Sequence, residues 1–116
     1  MAIKTISVLA ATWFVPKSEK DDMNPARFEV RPLDGMQYME VMNETSGTGV
    51  DLRISGRGLK LALQHGLVGW ETVQDKDGKN IEFSRNEVNR LPPILLTELA
   101  AEILDISELG EEAIKN

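Results

Sequence analysis

The chain has 116 residues, 41% of them apolar and 28% charged, enough for one buried core and not for a second independent domain. It has no cysteine, which excludes a disulfide framework and a thiolate metal site and fits a reducing compartment. The net charge of −6, with no basic face in the sequence, argues against a nucleic-acid footprint.

The charge is unevenly placed. Residues 92 to 116 hold the acids Glu98, Glu102, Asp105, Glu108, Glu111 and Glu112 against the single base Lys115, so this quarter carries five of the six net negative charges. Such a segment is either a solvated helix face or an electrostatic docking element for a basic partner.

Residues 3 to 15 (IKTISVLAATWFV) are rich in β-branched and aromatic types on both alternating faces, which suggests a strand covered on both sides, or else a short buried helix. The apolar stretch within them is far short of the roughly 20 residues of a membrane span and lacks the basic start of a signal peptide. A soluble protein without a targeting segment is expected. Pro16 to Ala26 is charged, bounded by prolines and without apolar period, so it reads as a mobile loop.

Arg27 to Arg31 (RFEVR) alternates apolar and charged residues, as a half-buried antiparallel strand does. Asp34, three residues before Gln37, has the spacing of a capping box for a short helix over about 35 to 42. That helix places Met36, Met39 and Met42 on one narrow stripe of flexible, polarizable side chains. Core filling is the commoner use of such a stripe; an adaptable binding groove is the other. Residues 43 to 50 read as a second mobile loop.

A helix is expected over 51 to 66, with Asp51 as N-cap and Leu52, Ser55, Leu59, Ala62 or Leu63, and Gly66 on one face. Gly56 and Gly58 each cost it about 1 kcal/mol relative to alanine, so they allow a close helix contact or mark a late start. Gly66 or Gly69 is a candidate left-handed C-cap. Residues 70 to 83 then read as a hairpin around Asp77-Gly78. A three-residue loop with left-handed Gly78 sets Val73 opposite Ile81, and is preferred to a two-residue loop that would set Val73 opposite Glu82. Trp70, at the corner, suits core anchoring with its indole N–H on a carbonyl, although tryptophan is also enriched at binding sites.

Ser84 and Glu87 match the S-x-x-E capping box of a helix carrying Val88 and Leu91. Pro92 and Pro93 interrupt that helix, and Pro93 suits the first position of the next. There Leu95, Leu99, Ile103 and Ile106 recur at helical spacing, flanked by Ile94, Leu96 and Leu104 and by the acids Glu98, Glu102 and Asp105. Residues 107 to 116 are polar enough to form an acidic, frayed tail.

The expected fold is one α+β domain over 1–116: a small antiparallel sheet, including strands near 3 to 15 and 27 to 31 and the hairpin 70 to 83, packed with three to four helices, the C-terminal part helical. Catalytic chemistry is hard to find. His65 is the only histidine, no carboxylate pair sits in an apolar context, and Gly56-Arg57-Gly58 is too short for a phosphate loop. Asp75, Asp77 and Gly78 fail the spacing of a calcium loop, since Val73 and Ser84 would stand where carboxylates are needed. No enzyme, cofactor or metal site is expected.

The segment LVGWETVQDKDGKNIEFSRNEVNRLPPILLTELAAEIL, followed by an acidic tail ending in EEAIKN, resembles the tail assembly chaperones of long-tailed bacteriophages. In those proteins a helix leads to a G-W dipeptide, a D-x-D-G hairpin, an aromatic-Ser helix start, an acidic helix and a Lys-Asn ending. The earlier RFEVRPLD is similar to their R-P-L followed by a short helix, so the likeness spans roughly residues 27 to 116 and leaves residues 1 to 26 without a counterpart. It implies a protein of the bacterial host cytoplasm that binds the tape measure protein, or another tail protein, and keeps it soluble before tail tube polymerisation.

The residues agree with that role: an acidic protein with no catalytic constellation and a broad apolar C-terminal helix suits transient cover of a long hydrophobic helical partner. The candidate partner-binding residues are Leu95, Glu98, Leu99, Glu102, Ile103 and Asp105 on this helix, with Trp70 and with Met36, Met39 and Met42. The stripe of the helix itself is expected to pack inward, leaving the acids to act on encounter rate. A homo-oligomer is compatible with the sequence; nucleic acid and membrane are not expected as partners. Two other readings are a phage structural or adaptor protein of the head-tail connector type, retained in the virion, and a small oligomeric enzyme with a site shared across chains.

Overall fold

In the computed structural model, which describes residues 10–46, 53–54 and 56–115, the elements run in chain order as β1 (Thr12–Phe14), β2 (Arg27–Val30), α1 (Gly35–Met42), β3 (Thr45–Ser46), β4 (Arg53–Ile54), α2 (Gly56–Gly66), β5 (Leu67–Glu71), α3 (Arg85–Val88) and α4 (Pro93–Lys115). The alternation of RFEV makes β2 the central strand. Phe28 and Val30 are buried, Arg27 and Glu29 are half-buried on the other face, and antiparallel partners lie on both sides in the order β1-β2-β5. Phe28 is the hub of the register, facing Phe14 on one side and Trp70 on the other. A bulge between Glu29 and Val30 lets Glu29 pair with Gly69 and Val30 with Leu67.

Of the expected strand 3 to 15, Thr12–Phe14 is observed; residues 1–9 lie outside the described residues. The loop after it makes specific local contacts. A 3-10 turn spans Lys17–Glu19, the Glu19 carboxylate accepts from the Ala26 N–H at 3.1 Å, and Pro16 is buried.

The helix expected from 51 starts later, because Arg53–Ile54 pairs antiparallel with Thr45–Ser46 as a two-stranded ribbon and the helix begins at Gly56. Asp51 as an N-cap lies outside the described residues, as do the loop residues 47–50. The C-terminus of α2 is also closed differently. Neither Gly66 nor Gly69 has positive φ; instead the last carbonyls of the helix are satisfied from elsewhere. The Arg31 N–H donates to the Gly66 carbonyl at 2.9 Å, Arg31 Nε to His65 at 2.9 Å, and Arg85 Nη1 to Leu63 at 3.2 Å. Gly66 is small for another reason: a Cβ there would lie 2.4 Å from Ile103 Cγ2, so only glycine lets α2 approach α4 this closely.

The turn at Gly78 is as expected. Gly78 has φ 82, Gln74 bridges Asn80, and the Ile81 N–H donates to the Val73 carbonyl at 2.7 Å, so Val73 faces Ile81. This hairpin tip is not a continuation of the sheet. Thr72, at φ 59, bends the chain after Glu71, and only the β5 portion pairs with β2. The Trp70 indole N–H reaches across the bend to the Ile81 carbonyl at 2.7 Å, while its ring meets Phe28 and Phe83 edge to face.

Helix α3 uses half of its expected capping box. Ser84 Oγ accepts from the Glu87 N–H, but the Glu87 carboxylate is taken by Arg90 at 2.8 Å. Pro93 opens α4 as expected, and the backbone stays helical to Lys115, where a frayed tail from 107 was expected. Leu99, Ala100, Ile103 and Leu104 form its buried stripe, packed on Ala62 and Leu63 of α2 and on the sheet residues Phe28, Val30 and Leu67. The result is an α+β domain with the sheet on one side of a helical layer.

Candidate partner-binding surface

Local chemistry fixes α1 first. Asp34 Oδ1 accepts from the Gln37 N–H at 2.8 Å, and Gln37 Oε1 accepts from the Asp34 N–H at 3.1 Å, so both halves of the capping box form. Val41 is buried against the core, Met42 is partly buried, and Gln37 Nε2 lies 3.3 Å from His65 Nδ1 on α2. One face of α1 is thus held by α2, and the opposite face turns outward.

That outward face carries Met36, 73% exposed, and Met39, 61% exposed. Core filling, the commoner use of such a stripe, therefore describes Met42 alone. Met36 and Met39 edge an open groove of about 540 Å³ whose other walls are Leu33, Asp34, Gly35, Tyr38 and Ser107. Its inner end is rigid: Ser107 is buried, with Oγ donating to the Ile103 carbonyl at 2.6 Å and accepting from the Leu33 N–H at 2.8 Å. A hydrogen-bonded inner end with two exposed thioethers at the rim suits apolar side chains of varied shape.

Leu33, Tyr38 and Ser107 were not singled out in the sequence. The first two had a readable signal: Leu33 precedes the N-cap and Tyr38 is the fourth helical residue, the positions of a hydrophobic staple. Ser107 had none, because its partner lies 74 residues away.

On α4 the candidates separate. Leu99 and Ile103 are fully buried and Trp70 nearly so, which corrects their expected place on a binding surface: their side chains are consumed by the core. Leu95 is half-buried at the edge of the core, whereas Ile94 is 85% exposed. Glu98 accepts from the Lys17 N–H at 3.0 Å and so anchors the loop after β1. Glu102 is half-buried, and its carboxyl is pushed up by desolvation first and by the neighbouring Asp105 charge second. Asp105 is exposed. The acidic row is therefore not one uniform surface, and the methionine face is the more open of the two candidate regions.

Among the described residues no cluster of three or more histidines and carboxylates could hold a metal ion, and no helix is long and apolar enough to cross a membrane. Comparison with protein-family models, with curated proteins and with solved structures found no match to this chain.

Proposed function

We propose that this protein is a tail assembly chaperone of a long-tailed bacteriophage, which binds the tape measure protein in the host cytoplasm and keeps it soluble until the tail tube polymerises. The observation that carries the binding reading is the pair of outward methionines, Met36 and Met39, at the rim of a groove lined by buried Leu33 and Ser107. Water-exposed methionine at such a groove is costly unless a partner covers it, and the thioether's flexibility lets one groove accept several apolar side chains in turn. The tape measure protein as partner rests on the resemblance of RFEVRPLD and of the segment from Leu67 to Leu104 to tail assembly chaperones.

A chaperone of this kind acts by occupancy. Apolar residues of the client seat in the groove, and the acids of α4 attract its basic segments. Co-expression with the tape measure protein of the same genome tests this reading. The expected result is that the client moves from the insoluble to the soluble fraction, co-purifies with this chain, and that this chain is absent from purified particles. A client that stays insoluble, or this chain retained in the virion at stoichiometric amount, contradicts it.

A further inference from the structure

A second groove, of about 470 Å³, lies where α2, α3 and the first turn of α4 meet. Its apolar lining comes from Leu59, Leu63, Val88 and Leu96, and the charged residues in its wall are Lys60 and Arg85, with no carboxylate among its described lining. In a chain of net charge −6 this is a local concentration of positive charge beside apolar surface. An occupant that matches it has an apolar face flanked by acids.

The chain itself contains such a segment. Residues 108 to 115 of α4 carry Glu108, Glu111 and Glu112, with Leu109 among them and Ala113 and Ile114 after them. That segment has no access to its own groove. It belongs to the same continuous helix as Leu96, and a rise of 1.5 Å per residue puts its start about 18 Å further along the axis. In a pair of copies related by a two-fold axis with their α4 helices antiparallel, the end of one α4 lies beside the beginning of the other, where the groove is. We infer that this groove receives the acidic C-terminal segment of a second copy, in a reciprocal, salt-sensitive homodimer.

The dimer joins through two copies of a small contact, so it is a transient one, and its rim charges make it weaken with ionic strength. Lys60 is exposed, so its reversal leaves the fold unchanged. Sedimentation velocity of the full chain across a concentration series at low and high salt is the test, with far-UV circular dichroism as the check on folding. The wild type is expected to pass from monomer to dimer, with the midpoint moving to higher concentration in salt. Both Lys60→Glu and the triple change Glu108→Lys, Glu111→Lys and Glu112→Lys should raise that midpoint by about tenfold or more, since each contact counts twice. Combining them should restore the dimer. A chain that is monomeric throughout overturns the inference, including the case in which the groove captures an unrelated acidic peptide. So does a dimer indifferent to both reversals, or one that the combined variant fails to restore.

Discussion

Gly66 on α2 lies directly against Ile103 on α4: a Cβ built on Gly66 would meet Ile103 Cγ2 at 2.4 Å, Cδ1 at 2.8 Å and Cγ1 at 2.9 Å. All three contacts fall on one fully buried side chain that is itself enclosed by the core, so it has little room to give way. Gly66→Ala should therefore cost about 1–3 kcal/mol through overpacking. In an Ile103→Ala background the obstacle is gone, and the same change should be close to neutral or stabilising, since alanine favours a helix over glycine by about 1 kcal/mol. Urea unfolding of the four proteins measures this coupling, and additive costs would show that the helices are not held at this distance by the pair.

Among the described residues Thr72, where the chain bends into the hairpin tip, and Gly78, within the tip, have positive φ, and they should respond in opposite directions. Thr72 is β-branched at φ 59, a conformation that asparagine tolerates better, so Thr72→Asn should stabilise by roughly 0.5–1 kcal/mol. Gly78→Val should destabilise by roughly 1 kcal/mol or more, although nothing crowds the space around Gly78, because the strain is in the backbone. Thermal unfolding midpoints distinguish the two, and equal shifts for both variants would contradict the turn geometry.

The Ser107 hydroxyl is the link between α4 and the segment leading into α1. Ser107→Ala leaves the Leu33 N–H buried without its partner, at a cost of about 1–3 kcal/mol. Hydrogen exchange at the Leu33 amide should rise in step with that loss. An amide that stays as protected as before would show that some other acceptor holds it.

Glu102 makes stability depend on pH in a direction unusual for a carboxylate. Burial, and next the Asp105 charge, raise its folded value above the ordinary 4.5, so the folded chain keeps this proton to higher pH than the unfolded chain. The contribution to stability is full below the unfolded value, is lost as pH rises through the window between the unfolded and the raised folded value, and stays lost at neutrality. Glu102→Gln should accordingly raise the unfolding midpoint at pH 7, change it little at pH 4, and flatten the slope between. A variant less stable than wild type at pH 7 would contradict this.

What the sequence made legible was what short-range chemistry decides. Asp34 and Gln37 cap α1 because donor and acceptor are three residues apart, Gly78 turns the hairpin because its own backbone requires it, and Pro93 starts α4 because its missing N–H is not needed there. The α+β class followed from the alternation of RFEV and the period of α4. Where a distant residue decided, local pattern failed. Gly66 read as a cap but is a contact with Ile103, Arg31 closes α2 from the residue after β2, and Glu87 left its capping role for Arg90. Met36, Met39 and Met42 show the same limit on the surface: their spacing fits a core, the commoner use, as well as a groove, and only the packing of α2 against one face of α1 exposes the first two and covers the third.

Under the proposed function, the Met36 and Met39 face is where the tape measure protein binds. The most direct measurement is the affinity of wild type and of Met36→Glu/Met39→Glu for the tape measure protein, captured by pull-down and titrated in solution. Both side chains are largely exposed, so the double variant should keep its fold and unfolding midpoint. Replacing two thioethers that the client would cover by charges against apolar client groups should weaken binding by about tenfold or more. Binding weakened to that degree with the fold intact is the predicted result; affinity equal to wild type in the correctly folded variant would contradict the account.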